Sequence, residues 1–289
     1  MKRFGIIVNI EKPQTKEAVL RIIKWVDGKN YSCYLEEQLK EIIGTDHEFL
    51  PRNELCEKSD YVISLGGDGT MLATVRSAVD ISVPILGINL GSLGFLTQQP
   101  EKALINSLER IDSGDYQIDE RMVLIAETDP PVDNNILFAL NDMVIDRGAL
   151  SRLITLNVKS KNEFVSSYRA DGLIISTPTG STAYNLAAGG PIVYPSMDAI
   201  VLCPICTHTL TQRPLILPGS FELTINIEST NTGASLTVDG QKAYTLNDGH
   251  MVKIRAADHR VNLIKFSDNS FFGVLRKKLY LGRWPKTGI

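Results

Sequence analysis

A single carboxylate set among glycines is the part of this sequence best suited to chemistry. Gly66-Gly67-Asp68-Gly69-Thr70 follows the apolar run Tyr61-Val62-Ile63-Ser64-Leu65 and precedes a helix-like stretch over 71–79. A strand that turns on glycines into a helix aims backbone N–H groups and the positive end of the helix dipole at one point, which suits an anion and above all a phosphate. Gly66, Gly67, Gly69 and Thr70 are the expected phosphate-binding positions. Asp68 is the odd member: a carboxylate beside phosphates must hold a cation, accept a proton or cap the helix.

Two further constellations carry chemistry. In Leu140-Asn141-Asp142-Met143-Val144-Ile145 an amide and a carboxylate interrupt a strand-like run. Asn offers donors and acceptors, and Asp accepts from ribose hydroxyls or an adenine amine. A β-bulge or turn explains the same break. In Asp171-Gly172-Leu173-Ile174-Ile175-Ser176-Thr177-Pro178-Thr179-Gly180-Ser181-Thr182-Ala183-Tyr184, five hydroxyl residues and two turn formers follow an apolar strand. A surface loop accounts for that polarity. It accounts less well for Tyr184, an aromatic able to stack on a base, beside Ala187, Ala188, Gly189 and Gly190.

The elements that must position these residues come in two styles. Short β-rich runs at 4–10, 31–35, 61–65 and 84–89 alternate with segments of helical period. Ala18, Val19, Ile22, Ile23 and Val26 share one helical face, with Gly28 where a C-terminal glycine belongs. This alternation predicts an α/β N-terminal domain with a parallel sheet, whose ligands bind at the carboxyl ends of the strands, where the 66–70 turn lies. A helix over 101–111 precedes Ser113-Gly114-Asp115, the expected boundary of a first domain, 1–115. From Tyr116 onward strands alternate with tight turns. Phe221-Glu222-Leu223-Thr224-Ile225-Asn226-Ile227 alternates, and Leu236-Thr237-Val238 leads into the hairpin signal Asp239-Gly240. Residues 116–270 therefore read as a C-terminal antiparallel β domain, and 271–289 as a tail with the basic cluster Arg276-Lys277-Lys278.

With 289 residues and a formal charge of -3, the chain has no general attraction for nucleic acid or anionic membrane. The apolar N-terminal run 4–8 is far short of a signal h-region or a membrane span, so cytoplasmic residence is expected. Cys33, Cys56, Cys203 and Cys206 do not form a disulfide framework. Cys203-Pro204-Ile205-Cys206 has redox or zinc spacing, but it lies in an apolar segment without a second such pair, so both thiols are expected to be buried small hydrophobes. His47, His208, His250 and His259 are scattered, and no metal-binding cluster of side chains is expected.

In their order and spacing, the 66–70 turn, Asn141-Asp142, and 171–184 with Gly189-Gly190-Pro191 resemble the bacterial NAD kinases. The similarity covers essentially the whole chain, including Gly87-Ile88-Asn89, Gly91-Ser92-Leu93-Gly94-Phe95-Leu96, His208-Thr209-Leu210 and Arg213-Pro214-Leu215. Lipid kinases and phosphofructokinases share the glycine turn, whereas the 176–184 segment is specific. The resemblance implies phosphorylation of the 2′-hydroxyl of the adenosine ribose of NAD by ATP, giving NADP and ADP, with a divalent cation, usually Mg²⁺. It also implies a homotetramer whose NAD sites lie near subunit contacts, and a C-terminal tail that can return to the first domain. On this resemblance Asp68 receives the hydroxyl proton, while Asp68, Gly69, Asn141 and Asp142 bind the dinucleotide. Thr182, Ala183 and Tyr184 lie around its adenine and nicotinamide ends, and Asp171 can reach a neighbouring subunit's ligand. Ala187 is a further NAD-binding position at which this chain departs from the family, because several members carry a serine there. Arg121, Arg147, Arg169 and Arg213 are candidates to neutralise ATP. A lipid kinase would explain the glycine turn but neither Asn141-Asp142 nor the 176–184 segment. A noncatalytic NADP-binding sensor would gain little from Asp68.

Overall fold

The computed structural model describes residues 1–132, 136–148, 153–209, 211–228 and 233–280. Leu210 and the 281–289 part of the expected tail lie outside the described residues. Contacts divide the chain into two compact units, Met1–Glu120 with the stretch from Val261 on, and Arg121–Arg260.

The first unit contains β1 (Arg3–Val8), α1 (Thr15–Gly28), β2 (Ser32–Glu36), β3 (Glu48–Leu50), α2 (Arg52–Lys58), β4 (Tyr61–Gly66), α3 (Asp68–Ser77), β5 (Ile85–Asn89), β6 (Gln99–Pro100) and α4 (Leu104–Ser113). Its strands run β5-β4-β1-β2-β3, all parallel. β1, β4 and β5 are buried at almost every position, as strands shielded on both faces must be. Phe4, Ile6, Val8, Ile63, Leu65 and Ile88 pack with the apolar stripe Ala18, Val19, Ile22 and Val26 of α1. α1 runs through Gly28, and the left-handed residue beyond it is Asn30 (φ 55), so Gly28 is not the terminal glycine that its position suggested. Gly114 does take that role after α4, with φ 77. α3 starts at Asp68 rather than 71 because extended Gly67 (φ -127) serves as its cap and Asp68-Gly69-Thr70 form its first turn.

The chain continues with β7 (Gln117–Asp129), β8 (Leu137–Ala139), β9 (Asp142–Asp146), β10 (Ile154–Ser160), β11 (Glu163–Ala170), β12 (Gly172–Ser176), α5 (Tyr184–Ala187), β13 (Ala199–Ile205), β14 (Leu215–Pro218), β15 (Leu223–Glu228), β16 (Ala234–Val238), β17 (Lys242–Leu246), β18 (Met251–Lys265) and α6 (Phe271–Leu279). In the second unit a six-stranded antiparallel sheet runs β14-β13-β12-β9-β16-β17, and a second antiparallel set runs β11-β10-β15-β18. Met143, Ile145, Leu173, Ile175, Leu202 and Leu236 from the former share one core with Leu156, Val158, Ile225, Ile227 and Val252 from the latter. Alternation along each strand sends every second side chain into that core. The α/β N-terminal part with a parallel sheet and the antiparallel β C-terminal part agree with the fold class expected from the sequence.

Candidate functional site

In the first unit the site grows from two adjacent strand ends. β4 and β5 pair with Gly66 opposite Asn89, so the segments that leave them emerge side by side at the carboxyl end of the sheet. From β4 come Gly67 and Asp68, the latter the first residue of α3. From β5 comes a short excursion that closes at β6, where Gln99 pairs with Ile88. The two segments meet through the Asp68 carboxylate. Its Oδ2 accepts from Phe95 N at 2.8 Å, and its Oδ1 accepts from Leu96 N at 3.0 Å, Thr97 N at 3.0 Å and Thr97 Oγ1 at 3.1 Å. Gly94 is required here, because a Cβ would run into Asp68 Oδ1 and Thr97 Oγ1. At Gly66 the space of a Cβ is filled by the Thr70 side chain, whose Oγ1 accepts from Gly67 N at 3.4 Å. A Cβ on Gly67 would meet nothing within 4 Å. The backbone there is open to a ligand at the positive end of the α3 dipole. Across the same loop, Lys278 of α6 sets its Nζ 4.9 Å from the centre of the Phe95 ring.

In the second unit three strand ends converge. β12 ends with Ser176 opposite Asp142, the first residue of β9, and Val238 at the end of β16 stands opposite Met143. Asp239, in the turn after β16 with φ 50, gathers three successive amides. Leu140 N donates to Oδ2 at 3.1 Å, and Asn141 N (2.8 Å) and Asp142 N (3.2 Å) donate to Oδ1. On the other side the Asn141 carbonyl accepts from Thr177 N at 2.9 Å and Ser176 Oγ at 3.2 Å. Gly180 lies so close that a Cβ would strike the Asn141 backbone. The Asn141 main chain is thereby held on both sides, while its side-chain amide has no hydrogen-bond partner among the described residues. Asp142 is 4% exposed, and burial first, with the Asp239 charge second, pushes its carboxyl up to about 7.

The hydroxyl-rich segment is used largely for its own fold. Thr177 Oγ1 donates to Leu140 O at 2.6 Å, Ser181 Oγ to Pro178 O at 2.7 Å and Thr182 Oγ1 to Thr179 O at 3.3 Å. What it presents outward is α5, with Ala188 just beyond it packed against Val144, Ile174 and Cys203. Tyr184 is 48% exposed, and its phenol is raised by burial and by the charges of Asp146, Cys206, Asp142 and Asp171. Thr182 and Ala183 are half-buried and Ala187 is exposed. Asp171 precedes β12 and so stands at the far end of that strand from Asp142, roughly 17 Å away at the rise of a β-strand. There it holds Arg147, Nε to Oδ1 at 2.8 Å. Arg121 is buried with Nη1 3.2 Å from Thr179 Oγ1, and Arg213 donates to Gln212 O at 2.8 Å.

Cys203 is buried, its thiol facing the Ala188 carbonyl at 3.7 Å, but Cys206 is exposed at φ 46, so only one of the pair is a core residue. Cys203 lies on the face of β13 opposite that of Leu202, in a separate small core with Val144 and Ile174, while Cys206 lies in the bend beyond the strand. Among the described residues no group of three or more His, Cys, Asp or Glu could hold a metal ion. Sequence reasoning missed Thr97 and Asp239. Thr97 follows directly on the Gly91-to-Leu96 match, and Asp239 looked like a hairpin residue only.

Known proteins match along both units. Residues 4–116 match the ATP-NAD kinase N-terminal domain and 140–266 the ATP-NAD kinase C-terminal domain. The NAD kinase of Moorella thermoacetica is 39% identical over 282 residues, covering 98% of this chain and 90% of that protein. The NAD kinase of Caldanaerobacter subterraneus subsp. tengcongensis is 40% identical over 282 residues, covering 96% and 99%. Among solved structures, yeast NADH kinase complexed with NADH superposes with a TM-score of 0.89 at 26% identity, over 100% of this chain and 90% of that one. An NAD kinase from Archaeoglobus fulgidus in complex with ATP gives a TM-score of 0.75 at 24% identity over 96% and 98%, a likeness of fold. With both of the family's domains matched and relatives near 40% identity over almost their full length, this chain belongs to the ATP-NAD kinase family.

Proposed function

We propose that the chain transfers the γ-phosphoryl group of ATP to the 2′-hydroxyl of the adenosine ribose of NAD, with Asp68 as the catalytic residue. The observation that carries this reading is a carboxylate fixed by four hydrogen bonds at the N-terminus of α3, beside glycine backbone open on one side. Gly66, Gly67, Gly69 and Thr70 bring main-chain amides and the helix dipole to the phosphates. Asp68 orients the hydroxyl and takes its proton, late in a loose transition state where positioning outweighs early deprotonation. The side chains of Asn141 and Asp142 bind the dinucleotide, and Thr182, Ala183, Tyr184 and Ala187 line its ends. Asp171 serves the ligand of a neighbouring subunit in a homotetramer.

The divalent cation is Mg²⁺, and it arrives with ATP. Mg²⁺ is ordinarily held by phosphate oxygens, water and one or two carboxylates rather than by a protein cage. When bound, the ion neutralises phosphate charge. The chain works in the cytoplasm; no described helix is long and apolar enough to cross a membrane. Incubation of the purified protein with NAD and Mg-ATP, followed by product analysis, should yield NADP and ADP. Phosphorylation of diacylglycerol without NADP, or binding of NADP without turnover, would overturn the reading.

A further inference from the structure

We infer that Thr97 is a positioning residue for the phosphoryl transfer, holding the Asp68 carboxylate so that Oδ2 alone faces the substrate hydroxyl. The inference rests on the proposed role of Asp68 and adds the groups that orient it. A carboxylate has about four lone-pair directions, two on each oxygen. Oδ1 already takes three donors, Leu96 N, Thr97 N and Thr97 Oγ1, whereas Oδ2 takes only Phe95 N. Oδ1 is therefore the anchored oxygen, and Oδ2 keeps a direction open for the ribose hydroxyl.

The direction of each proton in the anchor is set by its neighbours. Asn89 Nδ2 donates to Thr97 Oγ1 at 2.8 Å, and Asn89 Oδ1 accepts from Gly91 N at 2.6 Å, which fixes the orientation of that amide. With an incoming N–H from Asn89, the Thr97 hydroxyl turns its own proton to Asp68 Oδ1. Thr97 has no exposure and Asn89 is 5% exposed, so water does not compete for these groups. The chain Asn89, Thr97, Asp68 also runs from the rigid end of β5 to the first residue of α3, tying the two segments into one unit. Gly87 and Gly94 leave room for it: a Cβ on Gly87 would stand 3.0 Å from Thr97 Cγ2, and one on Gly94 would displace the Thr97 hydroxyl. Misplacement of a reacting group by about 1 Å can cost about a hundredfold in rate.

The test compares Thr97→Val, Thr97→Ser and Asp68→Asn in the full chain, measuring kcat, the KM values for NAD and ATP, and the thermal midpoint. Thr97→Val should lower kcat about ten- to a hundredfold with both KM values near wild type, and Thr97→Ser, which keeps the hydroxyl, should restore it. A wild-type kcat in Thr97→Val, or a loss that Thr97→Ser fails to restore, overturns the inference. Asp68→Asn separates the two ideas: if it turns over normally, the catalytic reading of Asp68 fails, and if it is inactive while Thr97→Val is normal, only the positioning role fails. Should Thr97→Val not fold, Asn89→Asp decides. Its new oxygen accepts the Thr97 proton and draws it off Asp68, so kcat should fall with KM unchanged, and an unaltered kcat overturns the inference.

Discussion

Replacing Asp142 by Asn should flatten a pH dependence that this carboxyl imposes on stability. In the folded chain Asp142 titrates at about 7 instead of 3.8, because burial first and the nearby Asp239 charge second disfavour the anion. Between those two values the folded chain holds a proton that the unfolded chain releases. The stability tied to that proton is complete below 3.8 and is lost as pH rises through 7. At 1.36 kcal/mol per pH unit the displacement corresponds to ~4 kcal/mol. Asn has the same shape and never ionises. The stability of Asp142→Asn relative to the parent should therefore rise by roughly 3 kcal/mol between pH 5 and pH 7.5 and then level off. Urea denaturation of both ligand-free proteins at several pH values measures the difference, in which titrating groups that do not interact with residue 142 cancel. Two stability curves that stay parallel over this range would refute the reasoning, because they would mean that Asp142 ionises in the fold without cost.

The remaining predictions address the binding half and the core. Asn141→Ala removes an amide with no partner among the described residues, so the KM or Kd for NAD should rise while the thermal midpoint stays near that of the parent; a large stability loss with unchanged affinity would reverse the assignment. Gly180→Ala forces a methyl group against the Asn141 backbone and should cost about 2 kcal/mol or more in denaturant titration. Cys203→Ala should cost about 1 to 3 kcal/mol as a cavity in the core, whereas Cys206→Ala, at an exposed position, should stay within about 0.5 kcal/mol, and both should retain turnover.

Local pattern alone was enough for the two building styles of this chain, because period 3.6 and period 2 are set by nearest neighbours along the sequence. The stripe on α1, the buried run of β4 and the alternation of β15 could all be read that way. The glycine turn was legible for the same reason: strand, turn and helix are contiguous, and only glycine leaves the backbone of 66 and 67 so open or so tightly flanked. Asn141-Asp142 stood out because they break an apolar run. What pattern could not supply is which distant groups meet these residues. The donors to Asp68 lie 27 to 29 residues away and those to Asp239 lie 97 to 99 away. Such pairs are decided by strand register, Gly66 against Asn89 and Ser176 against Asp142, which no local window contains. Burial is decided in the same way. Only the folded chain turns most hydroxyls of the 176–184 segment onto its own backbone, lifts the Asp142 carboxyl toward neutrality and separates Cys203 in the core from Cys206 in solvent, because each outcome depends on what packs across the sheet rather than on what comes next in the chain.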